Sequence, residues 1–255
     1  MKKFVYYYIY LYIIMERASS VHVLLIEADN VRSLGGSCVR DIVNMDKYVS
    51  EFSSKTNIKR GQTYVLSIDN NPTIQSKFVR QNIVFDKLSN YKAMFTAFTS
   101  SVKDTDYVVV LISGHGYQCP SKTTEEADRM DEYISYGGGN ILDNDINSLL
   151  VSKLYKAKKA VCLADTCHSG TLFDIVNKPN VTNVFSISAC LDNQLDSCDI
   201  GNNTGFGGSL TVHLLDIDNA IKTLLLGGTT EINTLVGNLG NVLKHLGQKP
   251  MLCGF

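Results

Sequence analysis

Tyr107-Val108-Val109-Val110-Leu111-Ile112-Ser113-Gly114-His115-Gly116 and Ala160-Val161-Cys162-Leu163-Ala164-Asp165-Thr166-Cys167-His168-Ser169-Gly170 are the stretches that decide how this chain folds. Each is an apolar run that ends in small and polar residues, with His115 closing the first and Cys167 the second. The runs Tyr107 to Leu111 and Ala160 to Leu163 lack apolar–polar alternation, as strands buried on both faces do. Reactive groups in open α/β sheets collect at the carboxyl ends of parallel strands. His115 and Cys167 are therefore expected to face each other across neighbouring strands, the layout of a cysteine-nucleophile hydrolase.

Working outward, Val21 to Glu27 reads as the first strand, closed by the turn residues Ala28-Asp29-Asn30. Gly35-Gly36-Ser37 opens a helix over Cys38 to Phe52, with Asp41 placed in its first turn. Thr63 to Ile68 is a short strand, and Phe85 to Phe98 carries a helical pattern. Gln118 to Asp131 has no periodicity and reads as a surface excursion, followed by a glycine turn at Tyr136 to Asn140 and a helix from Asp143 to Tyr155. Val184 to Ser188 is a strand, Gly201 to Gly208 a loop, and helices lie around Leu210 to Leu226 and Glu231 to Leu246. Met251 to Phe255 makes a last edge strand. Strands alternating with helices predict an α/β fold of three layers, a mainly parallel central sheet of six or more strands flanked by helices.

The chain has 255 residues, 44% hydrophobic and 19% charged, enough for one large domain over residues 21–255. With 24 basic and 25 acidic residues there is no bulk pull toward nucleic acid, so no nucleic-acid partner is expected. The cysteines at 38, 119, 162, 167, 190, 198 and 253 form neither zinc-knuckle pairs nor a dense disulfide framework, which fits reduced thiols in a cytoplasmic setting. Residues 1–20 are an apolar extension: Lys2 and Lys3 precede a tyrosine-rich run from Phe4 to Ile14, too short for the roughly 20 apolar residues of a membrane span. Met15-Glu16-Arg17 is a poor cleavage flank, so Met15 reads as the working start, with membrane or secretory targeting left as the alternative.

A thiol attacks as thiolate, and its usual pKa near 8.5 calls for a neighbouring base or cation. His115 supplies both, and the glycines beside it let a substrate backbone approach the ring. A lone Gly-His-Gly also suits a turn histidine. Cys167 sits among polar residues, whereas Cys162 lies inside an apolar strand as packing. Backbone amides around Gly114, Gly116 and Cys167 are the candidate oxyanion hole.

The strings SGHG and DTCHSG resemble the motifs of metacaspases, the caspase-like cysteine peptidases of clan CD. The segments GGSCVRD, DEY, GGGNILDND, VFSISACLDNQ, GGSLT and QKPMLC follow in the family's order, so the likeness covers residues 21–255, with a large-subunit-like part to about 178 and a small-subunit-like part from about 179. The resemblance implies a caspase-like fold, a thioester acyl-enzyme, His115 as general acid/base and Cys167 as nucleophile. It also places Asp41, Ser113 and Asp165 in the primary specificity pocket, and an acidic pocket implies protein or peptide substrates cleaved after arginine or lysine. Replacing Asp41 or Asp165 by alanine is then expected to abolish arginyl cleavage while leaving the fold intact. Other readings stand beside these. Asp41 also suits a carboxylate set against a helix dipole, and Asp165 a strand-end turn former. Arg32 and Arg40 keep aspartate specificity open, although ADTCHSG lacks the caspase cysteine signature. A legumain-like asparaginyl peptidase and a catalytically silent caspase-like regulatory module are the remaining alternatives.

No cofactor is needed for the chemistry. Many metacaspases are activated by calcium, and Asp131, Asp143 and Asp174 fall on matching positions, with Asn144 where the family has a second aspartate; three solvated carboxylates is the competing reading. Lys178 is followed by Pro179, which disfavours cleavage there, so the chain is expected to work uncut. Pro250 beside the last strand blunts that edge, so a monomer is expected.

Overall fold

The computed structural model describes residues 19–29, 34, 36–68, 72–78, 83–121, 129–175, 183–197, 200–202 and 205–254. The targeting reading of the first residues, the aspartate-specificity role of Arg32, the Lys178-Pro179 expectation and Cys198 fall outside them.

The centre is a seven-stranded sheet in the order β12 (Met251–Cys253), β9 (Val184–Ser188), β8 (Lys159–Asp165), β4 (Tyr107–Gly114), β1 (Ser20–Ala28), β2 (Lys59–Ser67), β3 (Ile83–Lys87). All neighbours run parallel except β12, which is antiparallel to β9. Strands on both sides of residue 178 thus share one sheet. All eight residues of β4 are buried, as its unbroken apolar run requires of a strand covered on both faces.

Alternation divides the core. Val21, Val23 and Leu25 of β1, Val109 and Leu111 of β4, and Val161 and Leu163 of β8 pack on one face. There they meet helices α1 (Ser37–Lys55), α4 (Ser209–Asp216), α5 (Ala220–Leu226) and α6 (Thr229–Leu243). Leu24, Ile26, Val108, Val110, Ile112, Ala160 and Cys162 pack on the other, against α2 (Tyr91–Ser101) and the helical stretch that begins with α3 (Asp143–Ile146). That stretch continues through a π-helical turn at Asn147–Val151 into Ser152–Leu154. Each fully buried Leu or Ile contributes about 1.5–3 kcal/mol relative to exposure, so two continuous cores hold the sheet rigid between its helix layers.

Several boundaries differ from the sequence reading. Ile83–Lys87 is the edge strand β3 rather than the start of a helix, and α2 begins only at Tyr91. The aperiodic stretch from Gln118 to Asp131 is flanked and entered by a second sheet, β5 (Gly116–Pro120), β6 (Met130–Ser135) and β7 (Asn140–Leu142). The glycine-rich loop contains the two-stranded pair β10 (Ile200–Asn202) and β11 (Gly205–Gly207), and the single helix expected over Leu210 to Leu226 is two, broken around Asn219 at a left-handed φ of 59°. Asp41 is not in the first turn of α1, which starts at Ser37, so the helix-dipole reading of that residue does not hold.

Candidate active site

The site grows out of strand register. Ser67, Glu27, Ser113 and Asp165 are successive cross-strand partners in β2, β1, β4 and β8. All four are buried, and each stands two residues after one that faces the α1 and α4 layer: Val65, Leu25, Leu111 and Leu163. They form a polar row that closes the apolar core at the carboxyl end of the sheet. Immediately beyond it, Asp29, His115 and Cys167 leave the ends of β1, β4 and β8.

The His115 and Cys167 strings touch through their backbones. A Cβ on Gly116 would lie 2.0 Å from the Cys167 carbonyl oxygen, and one on Gly114 2.5 Å from the Ala28 carbonyl oxygen. Glycine is required at both positions by these approaches. The His115 N–H donates to Ala28 O at 3.1 Å, which fixes the backbone as it leaves the strand. The imidazole is 20% exposed, and its Nε2 lies 3.4 Å from Oδ1 of buried Asp29. One face of the ring stacks on Tyr117 with centroids 6.2 Å apart, and Tyr117 stacks on Tyr133 at 5.4 Å.

Cys167 is half-buried, and its Sγ accepts the Asp196 N–H at 3.2 Å. Burial raises the thiol above its ordinary value, and that backbone hydrogen bond acts in the opposite direction. Cys162, expected as packing, is fully buried on the opposite face of the sheet. The loop after Cys167 is pinned from several sides. His168 adopts a left-handed φ of 51° and Nδ1 pairs with the Asp192 carbonyl. Thr171 N donates to Asp192 Oδ1 at 2.7 Å, and Asn147 Nδ2, at the head of the π turn, donates to the carbonyls of Phe173 and Asp174 at 3.1 and 2.8 Å. Glu132 ties this loop to the His115 side, with Oε2 accepting from Thr171 Oγ1 at 2.6 Å and Oε1 from Gln118 Nε2 at 2.8 Å.

Asp41, Ser113 and Asp165 come together as the sequence reading expects. Ser113 Oγ donates to Asp41 Oδ2 at 2.7 Å, and the Gly208 N–H reaches both Asp41 oxygens at 3.0 Å. Asp165 accepts the N–H groups of Leu210 and Thr211 at 3.2 and 2.6 Å, so it satisfies the open end of α4, whose own cap residue is Gly208. Asp165 is therefore a tertiary helix cap and not merely a turn former. A third carboxylate joins them: Asp196 accepts from Ser209 Oγ and Gln248 Nε2, each at 2.6 Å. Burial first, then the charge of Asp165, pushes Asp41 and Asp196 well above the usual carboxylate range. Acids packed this closely resist ionising together, and a cation among them relieves that repulsion.

The residues read as calcium ligands do not fit that ion. Asp131 and Asp143 are buried rather than solvated, and Asn144 is exposed. The two Asp143 oxygens accept the N–H groups of Glu132 and Asn144, each at 2.6 Å. Asp174 has a left-handed φ of 46°, and its carbonyl accepts from Asn147 Nδ2. Among the described residues no three His, Cys, Asp or Glu side chains gather as a metal site, although Asp131 Oδ1 is buried without a hydrogen-bond partner.

Sequence reasoning missed Asp29, Glu132 and Asp196. The first lay within reach: the strand-end rule that singled out His115 and Cys167 applies equally to the turn after β1.

The family profile described as "Metacaspase, peptidase C14 domain" matches residues 23–176. The chain is similar to Metacaspase-1B of Aspergillus niger, 27% identical over 146 residues that make up 54% of this chain and 30% of that protein. It is also similar to Metacaspase-1 of Pyricularia oryzae, 28% identical over 142 residues, 54% of this chain and 33% of that one. The chain thus spans about a third of the length of the curated relatives it matches. Among solved structures, the protein GSU0716 from Geobacter sulfurreducens superposes with a TM-score of 0.53 at 17% identity, covering 93% of this chain and 94% of that one. Caspase-1 from Spodoptera frugiperda superposes at 0.50 with 11% identity, covering 93% and 86%, and both likenesses concern the fold alone.

Proposed function

The chain belongs to the metacaspase, peptidase C14 family, and from that premise we propose that it is a cysteine endopeptidase that cuts protein or peptide substrates after arginine or lysine. The observation that carries this reading is the placement of Cys167 and His115 at the ends of adjacent parallel strands, with buried Ser113 and Asp165 in the row beneath them and buried Asp41 of α1 hydrogen-bonded to Ser113.

Cys167 Sγ attacks the scissile carbonyl carbon, forming the C–S bond as its proton passes to His115. Amides of Gly114, Gly116 and Cys167 are the candidate donors to the developing oxyanion; the His115 amide is already committed to Ala28. The C–N bond breaks as His115 gives the proton to the leaving amine. Water then adds to the thioester, its proton goes through His115 to the departing Sγ, and the acid product leaves. The side chain before the scissile bond enters toward Asp41 and Asp165. A guanidinium or ammonium there brings the positive charge that two facing carboxylates lack, and charge-assisted hydrogen bonds make the cation preferred over neutral or acidic residues.

We further read the enzyme as an uncut monomer in a reducing, cytoplasmic setting. Among the described residues, the thiols of Cys38, Cys162, Cys167, Cys190 and Cys253 are in no disulfide, and no helix is long and apolar enough to cross a membrane. Calcium is left out of the mechanism on the donor geometry above. The test is steady-state cleavage of fluorogenic arginyl, lysyl, aspartyl and asparaginyl peptides by the unaltered chain and Cys167→Ala. Cysteine-dependent cleavage of the first two is expected; preference for aspartyl or asparaginyl peptides, or silence on all four, overturns it.

A further inference from the structure

We infer that Asp29 is a positioning residue for His115, extending the cysteine–histidine pair to a Cys167–His115–Asp29 arrangement. The inference rests on the peptidase reading above. Its ground is the order β8, β4, β1 in the sheet. Ser113 pairs with Asp165 and Ala28 with Gly114, so the three side chains leave successive strand ends side by side.

Asp29 is 6% exposed, and its Oδ1 stands 3.4 Å from His115 Nε2. The carboxylate is held from behind. Its Oδ2 accepts the Leu34 N–H at 3.2 Å, and its own N–H donates to Glu27 Oε1 at 3.1 Å. Glu27 in turn accepts the Ile68 N–H through Oε2 at 3.3 Å, anchoring the turn to the end of β2. On the other side the ring is limited by its stack on Tyr117. Among the described residues, Asp29, just past the end of β1, and Tyr117 of β5 are titratable groups set against the imidazole.

A carboxylate at Nε2 selects the tautomer with its proton on that nitrogen and leaves Nδ1 as the atom that exchanges a proton with Sγ. No proton is transferred to Asp29. The proton from Sγ goes to Nδ1 and then to the leaving amine, while Asp29 stabilises the intervening imidazolium. A separation of 3.4 Å is long for a hydrogen bond in a free enzyme, and such contacts tighten when substrate is bound.

The experiment compares the full chain with Asp29→Asn and Asp29→Glu by kcat and KM on an arginyl peptide, and by the rate at which iodoacetamide alkylates Cys167 from pH 5 to 10. Asparagine is expected to lower kcat by about 10²-fold with KM within about twofold, and glutamate to recover part of the loss. Alkylation below pH 8, where Sγ attacks only as its proton passes to His115, falls about tenfold in Asp29→Asn, while the rate above pH 9 is unchanged. Unchanged kcat and alkylation in Asp29→Asn overturn the inference, as does a kcat loss that only follows the fraction unfolded in both variants. If the unaltered chain cleaves no peptide, the peptidase reading fails by itself, and the alkylation profile still decides the role of Asp29.

Discussion

Gly116 approaches Cys167 so closely that a single added β-carbon would stand 2.0 Å from the Cys167 carbonyl oxygen. This contact joins the histidine string to the cysteine string without involving either reactive side chain. Gly116→Ala is therefore expected to push the two strand ends apart, at an overpacking cost of about 1–3 kcal/mol. Urea unfolding measures that cost, and peptide cleavage is expected to fall far more than the folded fraction does. A variant with the parent's stability and activity would show that the two strings move independently.

The pocket acids separate specificity from stability. Asp41→Asn keeps an oxygen for the Gly208 N–H, and the Ser113 hydroxyl can reverse to accept from the new amide. Stability is expected to stay within about 1 kcal/mol, while kcat/KM on arginyl peptides falls about 10- to 100-fold with the loss of one charge-assisted bond. Asp165→Ala behaves differently. It strips Leu210 and Thr211 of their acceptor, so about 1–2 kcal/mol of stability goes with the activity. Paired urea curves and kinetics decide it, and equal stability of the two variants would remove the cap from the account.

Much of this was legible in the chain. The apolar run into Ser113-Gly114-His115 and the one into Asp165-Thr166-Cys167 contain no residue that a doubly covered strand rejects, and their register follows from the parallel order. The sequence reading erred where short elements are held by tertiary contacts. Ile83 to Lys87 is a strand because it pairs with β2, although its continuation into Phe95 and Phe98 reads as helical. The β5–β6 sheet is carried by cross-strand partners such as Tyr117 and Tyr133, which the irregular polar sequence between them conceals. Asp196 was invisible for a related reason: its buried hydrogen bonds come from Ser209 and Gln248, remote in sequence.

Glu132 gives the site a pH-dependent brace. Burial pushes its carboxyl up to about 7 from an ordinary 4.5. The raised value means that the folded chain favours the protonated acid. Its contribution is full below pH 4.5 and is lost as the pH rises through 7. Relative to Glu132→Gln, the unaltered chain is expected to lose about 2–3 kcal/mol between pH 5 and 8. Urea midpoints of both proteins at those two values test this. Parallel curves would mean that Glu132 ionises in the fold as freely as in the unfolded chain.

Calcium provides a further check. With both Asp143 oxygens accepting backbone amides, millimolar calcium is expected to leave kcat/KM within about twofold of its value in chelator. A tenfold rise on titration would show that Asp143 gives up those amides for the ion.

The most direct measurement is covalent. The chain is incubated with an arginyl chloromethyl ketone, an alkylating peptide that must enter the pocket before it meets the nucleophile, and the product is located by intact mass and peptide mapping. The account predicts one adduct, on Cys167, formed faster than with the aspartyl reagent and slowed in His115→Ala and Asp41→Asn. Equal labelling by both reagents, or an adduct at Cys38, Cys119, Cys190 or Cys253 with Cys167 untouched, would contradict it.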